Sequence, residues 1–219
     1  MNEKIDQERL VHVEAGLVTL EGNLAIPEDA QGIVMFVHGS GSSRHSSRNK
    51  FVARTLQEGG LATLLFDLLT AQEEQIDMRT RHLRFDIDLL AERVVGATDW
   101  LLEQPDTQAM NIGYFGSSTG AAAALIAATE RPEAVHAVVS RGGRPDLAQR
   151  VLPEVETPTL LIVGGHDRPV IGMNESALKQ IGAEERKLEI VPGATHLFEE
   201  PGALEEVARL ARDWFRRYL

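Results

Sequence analysis

A chain of 219 residues with 43% hydrophobic and 25% charged residues suits one large domain with a full core, and its formal net charge of −11 makes a phosphate backbone a poor partner. The chain has no cysteine, which excludes disulfides, thiolate metal sites and a cysteine nucleophile. No apolar run reaches the roughly 18 residues of a membrane span, and residues 1–9 are polar and charged, without the apolar stretch of a secretory leader. The expectation is therefore one cytoplasmic domain over residues 1–219, with no nucleic-acid or membrane partner.

In chain order, residues 10–13 and 17–26 read as two strands joined at Ala15-Gly16, a hairpin signal. Residues 33–37 form a continuous apolar run, as a strand buried on both faces would. A helix is predicted over 48–58, stopped by Gly59-Gly60, and a second buried strand over 61–66. The stretch 77–84 is charged and reads as the solvated entry to a long amphipathic helix over 83–102. Strands at 110–115, 134–139, 159–163 and 187–191 follow. They are interleaved with helices over 119–130, 175–181 and 204–218. After the hairpin, strand and helix alternate to the end, which predicts an α/β fold with a mostly parallel sheet and helices on both faces. Ligands in such sheets bind at the carboxyl ends of the strands.

The residues just past those strand ends carry chemistry. After the strand ending at Phe115 comes Gly116-Ser117-Ser118-Thr119-Gly120, a G-x-S-x-G motif followed by a helix. That setting presents a serine hydroxyl on a sharp turn, so Ser118 is the candidate nucleophile and Ser117, off the central position, is not. The strand 159–163 runs into Gly164-Gly165-His166-Asp167, and the strand ending at Val191 runs into Pro192-Gly193-Ala194-Thr195-His196. Asp167 and His196 complete the order Ser, Asp, His, with Asp167 orienting His196 and His196 moving the proton. The bland alternative for Asp167 is a helix cap. His166 precedes the acid on the wrong loop; His38 is better read as ordering its loop, and His12, His45, His82 and His136 as surface or structural. The oxyanion hole needs two donors, assigned to the N–H groups of Thr119 and of Ser40 in the glycine-rich loop His38-Gly39-Ser40-Gly41.

Over nearly its whole length the chain resembles the α/β-hydrolase superfamily, and within it the dienelactone-hydrolase-like small hydrolases. The matching segments are His38-Gly39-Ser40-Gly41, Gly116 to Gly120, Gly164-Gly165-His166-Asp167 and Gly193-Ala194-Thr195-His196. The resemblance implies a carboxylester-type hydrolase using neither metal nor cofactor. It departs at one point: dienelactone hydrolases proper use a cysteine where this chain has Ser118.

Only residues 140–158 separate the strands at 134–139 and 159–163, too few for a cap domain, so an open site for small esters is expected. Arg141 and Arg144 lie just past a strand end, and Arg44 and Arg48 follow the oxyanion loop. Arginines so placed suit a substrate carboxylate or phosphate, with surface salt bridging as the alternative for Arg141 and Arg144. The partner expected is thus a small, anionic or neutral ester, and the protein a monomer or small homo-oligomer. Two other readings share these residues: a thioesterase or acyltransferase on the same triad, and a catalytically silent binding protein of the same fold.

Overall fold

The apolar runs at 33–37 and 61–66 are too hydrophobic on both sides to face water anywhere, and they become neighbouring central strands of one sheet. In the computed structural model, which describes residues 8–219, the strands are β1 (Arg9–Ala15), β2 (Val18–Ala25), β3 (Gly32–Val37) and β4 (Ala62–Phe66), then β5 (Asn111–Ser117), β6 (Val135–Arg141), β7 (Thr159–Gly164) and β8 (Arg186–Val191). Residues 1–7, most of the stretch read as lacking a leader, lie outside the described residues. The eight strands form a single sheet in the order β1-β2-β4-β3-β5-β6-β7-β8. β1 and β2 pair antiparallel about a Gly16-Leu17 turn, β2 pairs antiparallel with β4, and all remaining pairs are parallel. Parallel neighbours need crossovers, and the helices provide them.

The helices are α1 (Ser47–Glu58), α2 (Ala71–Thr80), α3 (Ile87–Glu103), α4 (Thr119–Glu130), α5 (Arg168–Gln180) and α6 (Ala203–Tyr218). One core lies between the sheet and α3, α4 and α5, and includes Ile33, Met35, Leu64, Leu90, Val94, Tyr114 and Leu125. A second lies beneath α1 and α6, with Phe36, Val52, Leu56, Phe115, Val207 and Phe215. Alanines at 121–124 let α4 lie close to the sheet directly behind the Ser118 turn. Residues 142–158 hold only two short 3-10 turns, Pro145–Ala148 and Leu152–Glu154, and no cap domain. No described helix is long and apolar enough to cross a membrane.

One expectation needs correction. The charged stretch 77–84 is not a solvated helix entry: α2 ends at Thr80 and α3 starts only at Ile87, after a 3-10 turn at Leu83–Phe85. Asp77 is 1% exposed. Its carboxylate accepts the N–H groups of Leu83 and Arg84 and the Arg84 guanidinium. Burial alone would raise the Asp77 pKa, but these bonds, led by Arg84, hold it below the ordinary carboxylate value. Arg44 is engaged within the protein. It bonds Asp67, Asn23 and Glu21, tying the loop after β3 to β2 and to the end of β4.

Candidate active site

A tight strand-to-helix turn forces unusual backbone on its central residue, and Ser118 has φ 51 and ψ −121, with no side-chain cap bond to α4. For a non-glycine residue such a conformation costs about 1–3 kcal/mol and persists only where its surroundings enforce it. Here main-chain bonds do so: Ser118 N–H donates to Arg141 O at 3.2 Å, while Ala121 and Arg144 N–H both donate to Ser118 O at 3.1 Å. The flanking glycines are obligatory on close approach. A Cβ on Gly120 would lie 2.2 Å from Val37 O, and one on Gly116 2.5 Å from Ala121 Cα. The turn holds Ser118 half-buried, whereas Ser117 is 3% exposed and its Oγ donates to Asn49 Oδ1 of α1 at 3.4 Å.

The loops after β7 and β8 lie against each other through backbone bonds from Gly165 N–H to Val191 O and from His166 N–H to Ala194 O, both 2.9 Å. A side chain at position 164 would prevent this, since its Cβ would fall 2.4 Å from Ala194 O. The zipped loops bring Asp167 Oδ2 to 2.6 Å from His196 Nδ1, with the acid side chain 13% exposed and the imidazole 40%. Asp167 stands at the N-cap position of α5 but makes no capping bond, so its carboxylate serves the histidine and not the helix. His166 points to solvent. On the other flank, Thr195 N–H donates to Glu200 Oε2 at 3.0 Å, fixing the residue before His196; the Thr195 side chain, and after it this backbone bond, hold the Glu200 carboxyl below its ordinary pKa.

Gly142 lies against His196 and follows the residue that holds the Ser118 N–H. A Cβ there would sit 3.4 Å from His196 Cε1, and the hold on Ser118 comes from the Arg141 carbonyl. Among the described residues Ser118 Oγ makes no hydrogen bond, to His196 or otherwise, and such bonds commonly tighten only in the substrate complex.

The loop after β3 reaches the same point: a Cβ on Gly39 would be 3.0 Å from Ser118 Cβ. Thr119 N–H sits in the first turn of α4, where a helix leaves donors without internal partners. Ser40 N–H is engaged, donating to Thr119 Oγ1 at 2.9 Å. The two donors assigned to the oxyanion are thus tied to each other through the threonine side chain. His38 orders this loop: its Nε2 accepts Leu68 N–H at 3.1 Å, so Nδ1 carries the proton and donates to Gly39 O at 3.0 Å. Burial pushes the His38 pKa down, against smaller opposing effects of the Gly39 bond and of Asp67 and Glu74.

The two arginines past β6 differ. Arg144 makes a bidentate pair with Asp146, at 2.8 and 2.7 Å, and is committed to that partner, the salt-bridging alternative. Arg141 is 9% exposed, and its Nη1 is sealed from solvent with no hydrogen-bond partner. Residues that sequence reasoning did not single out also shape the site. Asn174, fully buried in α5, donates to Gly143 O at 3.0 Å and steadies the segment 141–144; a polar residue inside a helix gives no signal of this. Thr119 was singled out for its N–H alone, and its hydroxyl, which accepts the Ser40 N–H, is the part that reading missed. Cavities of about 410 and 300 Å³ lie elsewhere, the larger beside the oxyanion loop against Glu21, Arg44 and Asp67, and neither is lined by Ser118, Asp167 or His196.

Comparison with known proteins bears on the family and the fold. A family model described as the dienelactone hydrolase family matches residues 20–219. The crystal structure of a dienelactone hydrolase from Anabaena variabilis ATCC 29413 is 66% identical, covers 97% of this chain and 98% of its own, and superposes with a TM-score of 0.96. Est1E from Butyrivibrio proteoclasticus shares the fold at 16% identity, with a TM-score of 0.79 over 95% of this chain and 98% of its own. A Mycobacterium tuberculosis protein whose name describes a phosphoribosyl transferase is 57% identical over 209 residues, 95% of this chain but 46% of that protein. The chain thus spans less than half the length of that relative.

Proposed function

The chain belongs to the dienelactone hydrolase family, and from that premise we propose that it is a serine hydrolase of small carboxylic esters, with Ser118, Asp167 and His196 as its triad. The observation that carries the reading is the 2.6 Å contact between Asp167 Oδ2 and His196 Nδ1, supported by the positive φ of Ser118 in its G-x-S-x-G turn. In the cycle, Ser118 Oγ attacks the ester carbonyl and its proton passes to His196 Nε2, the nitrogen facing away from Asp167. The charge left on the carbonyl oxygen is held by the N–H groups of Thr119 and Ser40. To donate to it, Ser40 N–H shares or releases its bond to Thr119 Oγ1. The alkoxy C–O bond breaks as His196 returns the proton to the leaving oxygen, and a water deprotonated by the same imidazole releases the acid and frees Ser118. With no cap over the site, small or exposed esters fit better than long acyl chains.

The test is intact mass after incubation with a fluorophosphonate. A single adduct on the wild type that is absent from Ser118→Ala supports the assignment. An unlabelled wild type, or equal labelling of the variant, refutes it.

A further inference from the structure

Asparagine is a weak residue for the middle of a helix, and an unpaired oxygen in the interior disfavours the fold. Asn174, fully buried in α5, carries both penalties, because its Oδ1 is sealed from solvent with no hydrogen-bond partner. The compensation lies on its nitrogen. Nδ2 donates to Val170 O within the helix at 2.8 Å and to Gly143 O at 3.0 Å. Both are carbonyls, which only accept, so the amide cannot be turned over. Among the described residues Gly143 O has no other donor. Gly143 stands in the middle of segment 141–144, and its neighbours reach the site. Arg141 O accepts Ser118 N–H at 3.2 Å, Arg144 N–H donates to Ser118 O at 3.1 Å, and Gly142, with φ 52, lies against His196. The helix that carries Asn174 begins at the acid: Asp167 is the N-cap of α5, and Asn174 follows about two turns later, roughly 10 Å along the axis. One amide therefore joins the helix behind Asp167 to the segment that grips the Ser118 turn and abuts the imidazole. A residue that breaks the local rules in the interior is where a functional constraint is expected.

We propose that Asn174 is a positioning residue: by holding Gly143 O, its amide fixes the Asp167–His196 pair in register with the Ser118 turn. This rests on the serine-hydrolase reading and adds a residue to it. Asn174 touches no reacting atom and acts through main chain alone. The hold comes from its N–H, so a side chain of similar size without a donor keeps the packing and loses the alignment. A misplacement of about 1 Å between reacting groups can cost about 10²-fold in rate, and the loss falls on turnover, not on substrate affinity.

The experiment compares wild type, Asn174→Leu and Asn174→Asp on 4-nitrophenyl acetate. Asn174→Leu is expected to lower kcat about 10- to 10²-fold and to leave KM within about two-fold. Asn174→Asp keeps the shape and donates to Gly143 O only when its carboxyl is protonated, and burial raises the pKa of such a carboxyl. Arg144 and Asp146, the charged groups next along the chain, bond each other. The activity of Asn174→Asp relative to wild type should therefore climb as pH falls from about 8 to about 5.5, the titration of His196 being common to both proteins and dividing out. A residue that only filled space would give no such climb. A kcat of Asn174→Leu within about two-fold of wild type overturns the proposal. So does a relative activity of Asn174→Asp that stays flat with pH, or one that merely tracks its thermal midpoint. Should Asn174→Leu not fold, the pH ratio of Asn174→Asp decides. Amide hydrogen exchange needs no turnover and separates the two readings: the N–H groups of Ser118 and Arg144 should exchange faster in Asn174→Leu, with those of β3 unchanged. Faster exchange in a protein whose wild type hydrolyses no ester sinks the hydrolase assignment and leaves the anchor standing. Unchanged exchange and unchanged kcat beside an active wild type do the reverse.

Discussion

Replacing Asp167 by Asn keeps the shape of the acid and removes its charge, and the size of the effect can be worked from the contact itself. In the proposed cycle His196 becomes an imidazolium, whose charge centre lies about 4 Å from that of the carboxylate given the 2.6 Å approach of Nδ1 and Oδ2. Two unit charges at that separation attract by about 1 kcal/mol in water and about 4 kcal/mol at the effective dielectric of a protein surface. Asp167 is 13% exposed, which argues for the upper part of that range, and His196 is 40% exposed, which discounts it. A loss of about 2–4 kcal/mol from the transition state is a fall of roughly 30- to 10³-fold in kcat/KM. An asparagine that turns its amide toward Nδ1 adds to this by imposing the wrong tautomer. The assay is hydrolysis of 4-nitrophenyl acetate alongside the thermal midpoint. Were Asp167 merely a helix cap, Asn would be a good substitute and activity would stay within a few-fold of wild type. That result, or an activity loss matched by a collapse in Tm, would refute the reasoning.

Gly120→Ala places a methyl 2.2 Å from Val37 O; main chain cannot yield that far, so a destabilisation of more than about 4 kcal/mol is expected, read as loss of cooperative unfolding, and a folded, active variant would contradict the packing described. His38 titrates below its unfolded value, so its contribution to stability is complete above about pH 6.5 and is lost as pH falls beneath it, at no more than about 1.4 kcal/mol per pH unit. Chemical denaturation between pH 7.5 and 5.5 should therefore show a smaller acid loss in His38→Gln than in wild type, and equal slopes would remove the histidine from the account.

The sheet and the positions of Ser118, Asp167 and His196 were legible because each follows an apolar run with no polar side, and strand ends are where a parallel sheet places its chemistry. The register of loops that never adjoin in sequence followed from the same rule, and Gly164 shows its physical trace in the zipped loops. Helix α2 was not legible by periodicity: its one buried residue is the charged Asp77. The Thr70 and Glu73 capping box, with Thr70 N–H donating to Glu73 and Glu73 N–H to Thr70, was the available signal. Burial of charge is equally invisible in one dimension. Arg44, Arg141 and Arg144 look alike in the sequence, yet one braces a loop, one is unpaired and one is clamped by an acid two residues away.

The Ser118 turn leans on residue 141 through that residue's carbonyl oxygen, not its side chain. Main-chain support is indifferent to which amino acid provides it. Position 141 can therefore be varied in a combinatorial library, as in directed evolution toward new acyl groups, while the frame that presents Ser118 is inherited unchanged by every member. The glycines at 142 and 143 on the same segment have no such latitude. The first fits against His196, and a Cβ on the second would collide with Ser140 and Ala121.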